Sequence, residues 1–114
     1  MKYVILTYES ASDFAAREDA ALKAKYWAGW AAFGSTLKSA GIVSDMHGLK
    51  GIEMASTVRV RGGQKQIASG PFPGGDTQLG GYFIIDVDNE GAALDWAAKC
   101  PAAINGAVEV RPVF

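Results

Sequence analysis

The stretch Ile67–Val87, IASGPFPGGDTQLGGYFIIDV, decides the fold prediction. Five glycines and two prolines lie between Gly70 and Gly81, and the chain then becomes almost wholly apolar. Glycine and proline are typical of turns, whereas YFII is typical of a strand with apolar residues on both faces. We therefore expect an irregular loop that leads into a strand covered on both sides.

The chain before this stretch begins with a strand and a helix. Residues 2–8, KYVILTY, are the β-branched and aromatic types that strands prefer. Ser10 or Ser12 suits the N-cap of a helix. Apolar side chains recur at helical spacing over residues 13–40, and Gly41 suits the end of that helix. The sequence predicts one long helix here.

The remaining elements are recognised by alternation and by turn residues. A second strand is predicted at residues 42–49, IVSDMHGL, and a hairpin at residues 56–69, with its turn at Gly62 and Gly63. After the strand GYFIIDV come a second helix and a last strand. Asp88 or Asn89 caps that helix, Pro101 stops it, and the last strand is AVEVRPV at residues 107–113.

The order of these elements is strand, helix, strand, hairpin, strand, helix, strand. Without the hairpin the order is βαββαβ, so we predict an α+β, ferredoxin-like fold with an inserted β-hairpin. The two helices cover one face of the sheet, yet YVILTY and YFIIDV are apolar on both faces. A second copy of the chain is the simplest cover, because two-fold homodimers are the commonest oligomers. We therefore expect a homodimer, a dimeric α/β barrel with a cleft in each subunit.

Length and composition limit the class of protein. A chain of 114 residues fits a single domain, residues 1–114, with a core that needs no metal or disulfide. The net charge of −1 argues against nucleic acid or a membrane as a partner. A single cysteine, Cys100, favours a cytoplasmic location. One histidine and one cysteine without paired spacing argue against a metal site, and no motif predicts a cofactor.

Several stretches together resemble the YCII-related family, and within it the D-G-P-F branch. They cover nearly the whole chain: Trp30 and Phe33 before LKSAG, STVRV at 56–60, SGPF at 69–72, QLGGYFIIDVD at 78–88, ALDWAAKCPA at 93–102 and GAVEVRPV at 106–113. The resemblance implies a ferredoxin-like, dimeric α/β barrel. In some relatives a His/Asp pair suggests an enzymatic role. The resemblance implies such a role for this chain only on that basis. It also implies a functional link to a sigma factor of the extracytoplasmic-function type, beside which such members often occur.

Two positions depart from the family pattern. Ser69 stands where the family has an aspartate before G-P-F, and Met46-His47 stand where many members have Gly-Glu. If that aspartate is the acid/base of the relatives, this chain lacks it. The departure favours a binding function over a catalytic one.

The glycine-rich loop allows two interpretations. It lacks the Gly-Lys-Ser/Thr of a phosphate loop, and it precedes its strand instead of following one. Its glycines can serve the backbone alone, since Gly80 and Gly81 permit close approach of chains or a positive φ. Alternatively, the N–H groups around Ser69, Gly70 and Phe72 line the mouth of the cleft and bind an anion.

Arg59 is the predicted anchor for an anionic ligand. It shares the polar face of an alternating strand with Thr57 and Arg61. Its guanidinium group can hold a carboxylate or phosphate with two parallel hydrogen bonds. The alternatives are an ion pair with Glu109 of a second subunit and a solvated residue at the sheet edge.

His47 is the candidate catalytic residue, because histidine alone titrates near neutral pH without perturbation. As a general acid/base it needs an orienting carboxylate, for which Asp45, Asp76 and Asp86 are available. The alternative is an exposed loop histidine without a catalytic role.

The helical aromatic residues and the cysteine are interpreted as packing residues. Trp27, Trp30 and Phe33 recur at helical spacing, which is typical of core residues. Cys100 lacks the positive surroundings that would lower its pKa, so we do not interpret it as a nucleophile.

Two functions remain open from the sequence. The first is a homodimeric small-molecule-binding or regulatory module whose cleft, with Thr57, Arg59, Ser69, Gly70 and Phe72, holds an anionic ligand. The second is a small cofactor-independent enzyme of the dimeric α/β-barrel type that uses His47 as acid/base.

Overall fold

The structure is a computed structural model that describes residues 1–72 and 75–114. Within these ranges the chain forms six strands, four α-helices and one short 3-10 turn. In chain order they are β1 (Lys2–Ser10), α1 (Ala11–Ala16), α2 (Lys23–Ser39), β2 (Val43–Gly48), the 3-10 turn (Ile52–Met54), β3 (Ser56–Arg61), β4 (Gln64–Ser69), β5 (Thr77–Asp86), α3 (Glu90–Ala97), α4 (Ala102–Asn105) and β6 (Ala107–Pro112).

Four of the strands form one antiparallel sheet in the order β2-β5-β1-β6. This order, with the helices between strands, is the ferredoxin-like arrangement that the sequence predicts. Strands β3 and β4 pair with each other and form the predicted inserted hairpin. Gly62 and Gly63 form its turn with φ of 56° and 76°, which a type I′ hairpin turn requires. None of the helices in the described ranges is long and apolar enough to span a membrane.

The core lies between the helices and one face of this sheet. Every second residue of β1 points into it, from Tyr3 to Ile5 and beyond. The other large buried apolar side chains come from α2 and β5: Phe33, Leu37, Phe83 and Ile85. Each such side chain contributes about 1.5–3 kcal/mol on burial, so this layer holds the helices on the sheet.

The helices leave the opposite face of the sheet open. The strand register places Val4 and Leu6 of β1 beside Ile84 and Tyr82 of β5, and all four are half-buried. Charged and polar side chains flank this apolar centre on the two outer strands: Asp45 and His47 on β2, and Glu109 and Arg111 on β6. We call these eight residues the open face.

The prediction of one helix over residues 13–40 is wrong in its middle. The chain forms α1 and α2, joined by turns over residues 17–22. Ser10 caps α1 by accepting a hydrogen bond from the Asp13 N–H at 3.2 Å. Asp19 Oδ1 then accepts hydrogen bonds from the N–H groups of Ala21 and Leu22, at 2.8 and 3.1 Å. Such side-chain bonds compete with helical hydrogen bonds, which explains the break.

Candidate functional site

A cavity of about 660 Å³ lies between α2 and the ends of β1, β2 and β5. We call it the α2 cavity. Its apolar lining includes Tyr26, Trp27, Trp30, Ala31, Gly34, Met46 and Phe83. Its charged or titratable lining residues are Glu9, Arg17, Lys38 and His47. An apolar concavity with a few polar groups is the usual form of a small-molecule site.

Aromatic rings form one wall of the α2 cavity. Trp30 is stacked on Phe83, with ring centroids 6.1 Å apart and ring planes 9° apart. Phe33 is buried in the core, as predicted from its spacing. Trp27 is not a core residue, because it is 48% exposed and lines the cavity. Flat, rigid rings on a cavity wall favour a flat ligand.

A buried cluster of three polar side chains lies at the inner end of the cavity. Glu9, near the end of β1, is only 1% exposed. Arg17 Nη2 donates to Glu9 Oε2 at 2.6 Å, and Arg17 Nε donates to the Tyr26 hydroxyl at 2.9 Å. The Tyr26 hydroxyl in turn donates to the other oxygen of Glu9. The three side chains therefore form a closed ring of hydrogen bonds.

Arg17 and Tyr26 keep their protons near neutral pH. Burial alone would lower the pKa of Arg17, but the hydrogen bond to Tyr26 and the charge of Glu9 raise it above its ordinary value. Burial also raises the pKa of Tyr26, and its hydrogen bond to Glu9 raises it further. Tyr26 is therefore a neutral donor and Arg17 a cation, whose charge Glu9 compensates.

Gly80 and Gly81 make room for this arrangement. A Cβ atom on Gly80 would lie 1.6 Å from Glu9 Oε2, and one on Gly81 would lie 2.9 Å from the His47 carbonyl oxygen. Neither glycine has a positive φ. The sequence predicted either close approach of chains or a positive φ for Gly80 and Gly81. The structure therefore shows close approach. Pro73 and Gly74, also in the glycine-rich loop, lie outside the described residues.

His47 is among the lining residues of the α2 cavity, but its side chain lies on the open face beside the Tyr82 ring and is 66% exposed. Of the three carboxylates considered from the sequence, the structure places Asp45 beside it, with His47 Nε2 and Asp45 Oδ1 3.2 Å apart. The hydroxyl of Tyr82 donates to Asp45 Oδ2 at 2.7 Å. This hydrogen bond raises the pKa of Tyr82. Asp45 is therefore held between a tyrosine and a histidine on the open face.

Of the other predicted site residues, Thr57, Arg59 and Ser69 lie on the inserted hairpin, and Gly70 and Phe72 follow it in the chain. Arg59 is placed over the ring of Phe72, with the guanidinium carbon 5.0 Å from the ring centroid. Thr57 Oγ1 donates to the Gly70 carbonyl oxygen at 2.8 Å. Ser69 pairs across the hairpin with Ser56. None of these hairpin residues lines the α2 cavity, whereas His47 does.

The anion site predicted at the glycine-rich loop loses one of its donors. The N–H of Gly70 donates to the Ala55 carbonyl oxygen at 2.8 Å, so it is already used. Gly70 has a φ of 101°, which explains a glycine at this position.

Sequence reasoning missed Glu9, Arg17 and Tyr26 as site residues. One signal was available, because Glu9 shares its strand face with Tyr3 and Ile5 and a charge on a buried face needs a partner. The identity of that partner was not visible, since Arg17 lies in the turn that interrupts the predicted helix.

Comparison with known proteins supports the fold described above. The family model described as the YCII-related domain matches residues 1–114. Among solved structures, the chain is similar to 5-chloro-2-hydroxyhydroquinone dehydrochlorinase (TftG) from Burkholderia phenoliruptrix AC1100, in complex with 2,5-dihydroxybenzoquinone. The TM-score is 0.56 at 13% identity, over 100% of this chain and 94% of that chain. At this identity the likeness shows the fold alone. The comparison with curated proteins gave no match.

Proposed function

Because the chain belongs to the YCII-related domain family, we propose that it binds a small anionic molecule with a flat apolar body in the α2 cavity, as one subunit of a homodimer. The α2 cavity carries this proposal. Its volume of about 660 Å³ lies within the range of about 300–1,000 Å³ that is usual for small-molecule sites. Its aromatic wall suits a ring.

The charge of the lining favours an anionic ligand. Glu9 and Arg17 compensate each other through their ion pair. Lys38 is the remaining charged residue of the lining, and its ammonium group has no carboxylate partner within 4.0 Å in the part of the chain that the structure describes. The net charge of the lining is therefore positive at neutral pH, which attracts a carboxylate, phenolate or phosphate.

The structural neighbour supports a flat ligand. TftG forms a complex with 2,5-dihydroxybenzoquinone, a small ring compound with oxygen substituents. A molecule of that shape could lie against Trp30 of the present chain, with an oxygen toward Lys38. The ligand proposed here shares only a flat ring and oxygen substituents with that compound.

The open face supports the homodimer. Its apolar centre, with Val4, Leu6 and Ile84, would be covered by the same face of a second copy. Light scattering on a gel-filtration column should then give twice the chain mass of 12.0 kDa. A mass of one chain at every concentration would exclude the dimer and leave the ligand proposal standing.

A thermal-shift screen with two neighbouring variants tests the ligand site. Ala31 lines the cavity and Ala32 does not, and both are exposed on α2. A small aromatic carboxylate or phosphate at about a hundred times its dissociation constant should stabilise the wild type by about 2.7 kcal/mol. Ala31→Leu should lose that shift, and Ala32→Leu should keep it. Equal shifts in both variants would place the ligand elsewhere.

A second candidate function is catalysis with His47 as acid/base. The observation that favours it is the Asp45–His47 pair on the open face, since a carboxylate that holds one ring nitrogen leaves the other free for proton transfer. It predicts a turnover whose pH–rate profile depends on one group near neutrality and which His47→Ala abolishes. Turnover that survives His47→Ala unchanged would exclude this role.

Two earlier expectations stay predictions. Arg59, with Thr57, Ser69, Gly70 and Phe72, remains a candidate anion site on the hairpin, and Arg59→Ala tests it in the same screen. A regulatory link to a sigma factor would mean that the ligand changes the binding of a protein partner.

A further inference from the structure

The inserted hairpin extends away from the rest of the molecule. Strands β3 and β4 form their own two-stranded sheet, and nearly every residue of both is exposed. The radius of gyration is 15.6 Å, against about 13 Å for a compact domain of this length. We call residues 56–69 the arm.

One face of the arm is exposed and mostly apolar, with Lys65 beside Val60 at the end near the turn. Val58 pairs with Ile67 across the two strands, and Val60 lies on the same face two residues further along β3. These three side chains are 58%, 63% and 61% exposed, in the order Val58, Ile67, Val60. An isolated two-stranded hairpin is marginally stable in water, so this face needs a cover.

We propose that the arm of each subunit packs its Val58, Val60 and Ile67 face on a second copy of the chain. This inference rests on the homodimer proposed above and names the element that holds it together. The receiving surface is the groove between the base of the arm and the sheet, which has a volume of about 690 Å³.

The groove has the chemistry to receive that face. Its lining includes Tyr8, Ile52, Met54, Phe72 and Leu79. Met54 and Phe72 are 66% and 64% exposed, so the groove offers apolar surface that the subunit does not cover itself. In a two-fold dimer, the arm of each subunit can enter the groove of the other reciprocally.

Charge complementarity favours a second copy as the occupant. The arm carries three basic residues, Arg59, Arg61 and Lys65, and no acidic one. The rest of the chain holds the other eight basic residues and all twelve acidic ones. The arm of one subunit is therefore attracted to the body of another as a whole, which steers the association, whereas the one charged residue of the groove lining in the described ranges is Lys50.

Two neighbouring residues of the arm provide a matched test. Ile67 lies on the apolar face and Gln66, opposite Arg59, lies on the other, and both are exposed. A glutamate at either position adds the same charge. We expect Ile67→Glu to weaken the dimer by at least about tenfold in dissociation constant, measured by sedimentation equilibrium, and Gln66→Glu to change it by less than about threefold.

Each outcome of this test decides the inference. Equal weakening by both variants, or by neither, would overturn the role of the apolar face while the dimer stands. A monomeric wild type would overturn the arm and the homodimer together, and the ligand screen would still test the α2 cavity.

Hydrogen exchange on the wild type adds a readout without mutation. The arm amides should be protected at dimeric concentrations and exchange rapidly on dilution, and equal exchange in both would overturn the inference.

Discussion

At the scale of single residues, Glu9, Arg17 and Tyr26 link the sheet to the turn that precedes α2. Arg17 also donates to the carbonyl oxygens of Leu49 and Gly80, so one side chain joins four segments of the chain. It is placed over the ring of Phe14 as well, 4.6 Å from its centroid. The shape of the α2 cavity therefore depends on this guanidinium group.

Removal of the Arg17 charge should lower the free energy of unfolding. Arg17→Met keeps the length of the side chain but leaves the buried Glu9 carboxylate without its cation. We expect a loss of about 3–5 kcal/mol in the free energy of unfolding, measured with urea at pH 7. The double variant Glu9→Gln, Arg17→Met should lose less, because no uncompensated charge remains. A single variant as stable as the wild type would contradict the role given to the pair.

The buried thiol of Cys100 predicts a loss of stability at alkaline pH. Burial raises its pKa from 9.0 to about 11. Between pH 9 and 11 the folded protein keeps the proton that the unfolded chain loses, so stability falls as the pH rises. The wild type should lose on the order of 2 kcal/mol more than Cys100→Ala across this window, by urea unfolding at each pH. Parallel curves for the two proteins would contradict this account.

These residues mark the limit of what the sequence predicts about the site. His47 is the only histidine of the sequence and therefore a visible candidate, and the structure places its side chain on the open face beside Asp45. Asp45 lies two residues before His47 on the same face of β2, so strand alternation alone already favours it over Asp76 and Asp86. The Glu9–Arg17 contact depends on how the chain turns after α1, which follows from tertiary packing.

At the scale of elements, local patterns predicted the strands well. β1 and β5 follow from their β-branched and aromatic runs, and the arm follows from alternation around Gly62-Gly63. These signals are local, since alternation and turn chemistry lie within a few residues. The break between α1 and α2 was missed because Asp19 binds backbone N–H groups of the turn, and the apolar spacing does not reveal such contacts.

The start of α3 allows a direct test of helix capping. The sequence left Asp88 and Asn89 as alternatives, and the structure selects Asn89, whose Oδ1 accepts a hydrogen bond from the Ala92 N–H at 2.9 Å. Asn89→Ala should cost about 1 kcal/mol of stability by urea unfolding. Asp88→Ala should cost less than about 0.5 kcal/mol. A larger loss of stability for Asp88→Ala than for Asn89→Ala would contradict the assignment of Asn89 as the cap.

At the scale of the whole molecule, the chain has two apolar surfaces that its own helices do not cover. One is the open face of the four-stranded sheet, and the other is the arm with its groove. The sequence predicted the first, because YVILTY and YFIIDV are apolar on both faces. The second was not predicted, since alternation in STVRVR shows that one side of the arm is apolar and gives no information on what covers it.

The central claim is that a small anionic molecule binds in the α2 cavity, and the indole N–H signals of the tryptophans test it most directly. Trp27 and Trp30 line the cavity, whereas Trp96 lies on α3 and outside that lining. Trp→Phe variants assign the three signals of a nitrogen–proton correlation spectrum. Titration with the best aromatic anion of the thermal-shift screen should move the signals of Trp27 and Trp30 and leave that of Trp96 in place. Binding that leaves Trp27 and Trp30 unchanged would contradict the claim.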